Sequence, residues 1–138
     1  MTLEQLEDKL PNGLHDAEIC SITRDFEKET VTMVVNVLVG LPGDSAEKRD
    51  DTRAASITFT DVRLFTIAPP TVLSACGVSG SISFHAERSK TGLLPAEIES
   101  DLQQCNDLYS LYVYDWESYI HIATSGIRFE WNQTSEAR

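Results

Sequence analysis

A chain of 138 residues, 41% hydrophobic and 24% charged, has the size and composition of one globular domain with a real core. Its formal net charge of −11 speaks against nucleic-acid partners and anionic membrane surfaces, both of which call for clustered Lys and Arg. Cys20, Cys76 and Cys105 are widely spaced and form no C-x-x-C or Cys/His cluster, so neither a disulfide framework nor a zinc site is expected.

The opening residues, MTLEQLEDK, lack the basic and apolar regions of a secretory signal. Together with the scattered cysteines, read as buried or half-buried thiols, they point to a reducing cytoplasm. Residues 2–10, TLEQLEDKL, read as a short amphipathic helix. Thr2 is its cap, Gln5 stands at the capping-box return position, and Leu3, Leu6 and Leu10 share a face. Pro11-Asn12-Gly13 ends it.

From Ala17 the pattern turns to β. AEICSIT and TVTMVVNVLVG flank RDFEKE and read as a hairpin. In the second run Val31, Met33, Val35, Val37 and Val39 share one face. The other face is also partly apolar, so the strand is expected to be central and covered on both sides. The run is broken by Asn36 and is far too short to cross a bilayer. Residues 44–53 are polar, rich in turn formers, and read as a flexible loop.

RAASITFTDVRLFTI resumes the strand pattern, with a parity switch at Asp61 that signals a bulge or a bend. Pro69-Pro70 ends it, and SISFHAERS follows as a further strand. Residues 95–105, PAEIESDLQQC, fit either a short helix presenting Ile98, Leu102 and Cys105 or a loop. Three strand-like pieces close the chain: LYSLYVYDW, SYIHIAT and GIRFEW. A tight turn at Glu117-Ser118 would pair the first two.

The expected fold is a single, mainly β domain over 1–138 with a minor α component. It is an antiparallel β-sandwich or barrel-like sheet of about seven strands, with a short N-terminal helix and the 95–105 segment as a second candidate helix.

No nucleotide-binding, zinc-protease or nucleophile-elbow motif occurs, and GVSGS at 77–81 has no lysine to hold a phosphate. No catalytic residue, metal or cofactor is therefore assigned. The candidate polar site is His15, Asp16 and Glu18, with Asp115 and His121 brought in by folding; such a set suits a divalent metal or general-base chemistry. Neighbours in an extended chain point to opposite faces, so His15 and Asp16 converge only if a turn reorients them. The structural alternative is that they mark the start of the first strand. The candidate interaction surface is Tyr112, Tyr114, Trp116 and Tyr119, since alternation sets the first three on one face and aromatics are enriched at recognition surfaces.

GLHDAE at 13–18 and ITFTDV at 57–62 carry a resemblance. Many uncharacterised bacterial proteins start their sheet with a similar LHDAE step, and some of them resemble an immunity-protein family that accompanies secreted polymorphic toxins. The likeness covers the first hairpin and the 57–66 strand, while DWESYIHIA is closer to the uncharacterised proteins. It implies a protein partner and transfers no catalytic residues. The leading expectation is a small acidic binding protein that neutralises a basic toxin or effector. The alternatives are a small-molecule- or metal-binding barrel with hydrolytic activity, and a homodimerisation module built on the C-terminal aromatic face.

Overall fold

The computed structural model describes residues 1–41, 43–69, 82–88, 94–102 and 107–132. Helix α1 (Leu3–Lys9) leads into β1 (Pro11–Leu14), β2 (Glu18–Asp25) and β3 (Thr30–Leu38). The one-turn α2 (Ala46–Arg49) precedes β4 (Thr52–Thr60) and β5 (Leu64–Ile67). After these come β6 (Ile82–Arg88), α3 (Ala96–Leu102), β7 (Asp107–Val113), β8 (Ser118–Thr124) and β9 (Gly126–Trp131).

Eight strands pair in the order β5-β8-β7-β6-β2-β3-β4-β9, and every pairing is antiparallel. They form two sheets, β2-β3-β4-β9 and β6-β7-β8-β5. A short ladder joins them, with Glu18 opposite Ser83 and Ile19 opposite Ile82. The sheets also meet where β4 runs on into β5 and β8 into β9. At that corner the Ser125 N–H donates to Thr60 O at 3.0 Å and the Arg63 N–H to Ala123 O at 2.9 Å. Asp61 holds φ at +48° there, a left-handed conformation that Asp tolerates, and the parity switch is this bend. Because β5 and β9 are not paired with each other, the fold is a β-sandwich-like α+β arrangement rather than a closed barrel.

One apolar cluster fills the space between the sheets. Val31, Met33, Val35 and Val37 of β3 meet Ile57 and Phe59 of β4, Leu111 and Val113 of β7, and Ile120 and Ile122 of β8. Burying a side chain of this size is worth about 1.5–3 kcal/mol. Helix α1 and its C-cap add Leu3, Leu6 and Leu10 to the same cluster, and the helix opens with the expected capping box between Thr2 and Gln5. The phenol of Tyr109, itself fully buried, accepts from the Leu3 N–H at 3.2 Å, tying the helix to β7.

Several expectations change. β3 is central, but its burial alternates strictly and its second face is only half-buried. The outward neighbours on β2 and β4 explain this: Ser21, Thr23, Ser56 and Thr58 sit opposite or beside it, and they shield one another rather than being roofed over. The loop over 44–53 carries α2, capped by the Ser45 hydroxyl. Residues 96–102 are helical, with Ile98 exposed, while Cys105 lies outside the described residues, as do Cys76 and residues 77–81. Cys20 is exposed rather than buried: it follows the inward-facing Ile19 and so points outward by alternation, and the register shift between Ile19 and Ser21 keeps Ser21 outward as well. No helix among the described residues is long and apolar enough to cross a membrane.

Candidate functional site

The LHDAE step is the turn between β1 and β2, and its last residue, Glu18, opens β2. Asn12, Gly13 and Leu14 lie in β1, and the Nδ2 of Asn12 donates to Leu38 O at 3.0 Å and Gly40 O at 2.7 Å, holding β1 against the end of β3. Gly13 at φ +56° and Asp16 at φ +60° then reverse the chain. Two backbone bonds close the turn, His15 N–H to Asn12 O and Ala17 N–H to Leu14 O, each 3.1 Å. With Leu14 and Ala17 buried beneath it, the turn presents His15 and Asp16 outward. The reorientation needed for convergence has occurred: His15 Nε2 lies 3.5 Å from Asp16 Oδ2, with side chains 81% and 66% exposed.

This turn forms one wall of a half-open cleft of about 350 Å³, lined by His15, Asp16, Phe84, His85, Tyr114 and Asp115. Strand β6 provides the floor and a second wall, because Phe84 is buried in the core and His85 beside it points out. The β7–β8 turn provides the third. Val113 pairs with Ser118, so the connection is the four residues 114–117 instead of a tight turn at Glu117-Ser118. Trp116 N–H donates to Val113 O at 3.2 Å and Glu117 N–H to Tyr114 O at 3.3 Å. This loop breaks the alternation that set Trp116 beside the tyrosines: Trp116 packs against the core, while Tyr114 stays 54% exposed.

A smaller hollow of about 110 Å³ adjoins the cleft through His15 and His85 and reaches Glu7 and Asn12. Burial pushes the Glu7 carboxyl above its ordinary value of 4.5; the nearby His85 opposes that rise, and the charges of Glu4 and Asp8 add to it.

The remaining predicted residues lie elsewhere. Glu18 is half-buried in the β2 ladder, opposite Asn36 and Ser83. His121 is on the same sheet face as His85, because His85 pairs with Tyr112 and Tyr112 with Tyr119, but it does not reach the cleft. It is only 6% exposed, and its Nδ1 lies 2.8 Å from the Ser110 hydroxyl. A hydroxyl against an imidazole has the parts of a nucleophile and base, yet Ser110 is fully buried, so this pair is a satisfied internal hydrogen bond. Between His121 and the cleft runs an aromatic ladder. Tyr119 stacks on His121 at 5.5 Å, Tyr112 meets Tyr119 edge-on at 5.1 Å, and Tyr114 meets Tyr112 edge-on at 5.4 Å.

Folding therefore unites His15, Asp16 and Asp115, adds His85 and Tyr114, and leaves out Glu18 and His121. The place of His85 in the cleft depends on the β6–β7 register, which no local signal announces. Among the described residues no group of three His, Cys, Asp or Glu comes together in a way that could hold a metal ion. Comparison with known protein families, with curated proteins and with solved structures finds no match for this chain.

Proposed function

We propose that this chain is a small acidic binding protein that neutralises a basic toxin or effector, with the cleft and its aromatic ladder at the centre of the contact surface. The observation that carries the reading is the lining of the cleft: two carboxylates, two histidines and an exposed tyrosine, with no Lys or Arg among the six described residues that line it. Aromatic residues ringed by polar groups are the usual composition of an interface centre. A net charge of −11 would speed encounter with a basic partner, an effect that salt screens.

The test is co-expression with the product of the neighbouring gene, followed by stopped-flow association at rising salt. The expected result is a stable complex whose association rate falls by about tenfold or more between low and physiological salt. Absence of a complex, or an association rate indifferent to salt, would overturn the reading. The alternative of a small-molecule- or metal-binding barrel with hydrolytic activity centred on His15, Asp16, Glu18 and His121 has less support, because the aromatic ladder stands between the cleft and His121.

A further inference from the structure

We infer that the cleft takes one arginine side chain of the basic partner, its guanidinium laid on the Tyr114 ring and paired with the carboxylates of Asp16 and Asp115. This rests on the reading above and names the contact on which binding turns.

Three observations converge. The first is chemical. A planar cation is recognised by an aromatic face together with carboxylate oxygens, and arginine offers both the flat surface and the forked donors. The second is preorganisation. Tyr114 is exposed, but its ring is braced through Tyr112 and Tyr119 to His121, and His121 is fixed by Ser110. A ring held this way loses little freedom when a ligand docks. The third is size. A cleft of about 350 Å³ lies at the small end of ligand pockets and suits one long side chain better than a larger molecule.

The protein uses the same chemistry on itself. Arg24 lies over the Phe26 ring at 5.3 Å and Arg53 over the Trp131 ring at 4.7 Å. Among the described residues no Lys or Arg lies over Tyr114. Asp16 is already within 3.5 Å of the His15 imidazole, so an arriving guanidinium competes for that carboxylate.

The probe is Nα-acetyl-arginine methylamide, titrated into the full chain and followed by amide chemical shifts, with the neutral citrulline counterpart alongside. The expected result is saturable shifts centred on Asp16, Tyr114 and Asp115, with citrulline binding at least about fivefold more weakly. Asp115→Asn and Tyr114→Ala are each expected to weaken arginine by about fivefold while leaving the rest of the spectrum unchanged. Equal response to the two probes, or arginine shifts scattered over the acidic surface, would overturn the proposal. So would self-association through Tyr114 that shuts the probe out.

In the complex with the basic partner, Tyr114→Ala is expected to raise the dissociation constant by about 30-fold or more. A salt-sensitive complex untouched by both substitutions removes the arginine anchor and leaves the binding-protein reading in place. Arginine held in the cleft with no basic partner captured removes that reading and leaves a guanidinium site.

Discussion

Strand β3 and strand β8 are both central and both rich in β-branched residues, yet they are buried in different ways. Along β3 every second residue is buried and the others are half-exposed. Along β8 all but Tyr119 are buried. On β3 the outward positions have small polar neighbours that water still reaches. On β8 the outward His121 and Ala123 are buried, so His121 must find a partner inside the protein, and it finds Ser110. The contrast teaches where polar side chains matter: beside β3 they are solvated and replaceable, on β8 they are internal and must be paired.

Substitutions along these strands should separate the two cases. The largest effect is expected at Met33, whose side chain is fully buried on the inner face of β3. Met33→Ala should cost about 2–5 kcal/mol in urea unfolding through lost burial and the cavity left behind. A loss of under 1 kcal/mol would mean that the core is looser than its geometry implies.

Next come two serines that both face away from the inter-sheet core. Ser110→Ala strips the hydrogen bond from a buried imidazole and should cost about 1–3 kcal/mol. Ser21→Ala, on exposed β2 surface, should stay within about 0.5 kcal/mol. Equal costs at the two sites would erase the distinction drawn between the sheets.

The smallest effect is expected at Glu7, and it depends on pH. Its folded-state pKa is raised, first by burial, so the neutral acid is favoured in the folded protein. That stability is present below the ordinary value of 4.5 and is lost as pH rises through the folded pKa. Glu7→Gln keeps the group neutral, so the variant should melt slightly above wild type at pH 7 and match it near pH 4. The opposite ordering at pH 7 would show that the attraction between Glu7 and His85 outweighs burial.

How legible the molecule was depends on the range of the forces involved. The α1 capping box, the inner face of β3 and the break at Asp61 were all readable, because each depends on residues a few positions apart. Trp116 was misplaced because alternation assumes the strand continues, and the chain instead leaves β7 after Val113 to make a four-residue turn. Cys20 departs from the expectation for a different reason: the usual burial of a thiol gives way to alternation beside the inward-facing Ile19. Of the candidate site, His15, Asp16 and Asp115 were singled out from their types alone. His85 was not, since an exposed histidine on a strand looks the same whatever lies across from it.

Local chemistry alone determined that this chain is a mainly β domain with a capped N-terminal helix, a strongly acidic character and an aromatic C-terminal third. Periodicity and charge are properties of neighbours along the chain, and they survive without knowledge of the fold. Only the tertiary structure decided that a left-handed turn at Asp16 would swing the LHDAE step out beside β6 and the Tyr114–Glu117 turn. That meeting joins residues about a hundred positions apart, through strand order and register that are settled by the packing of the whole core.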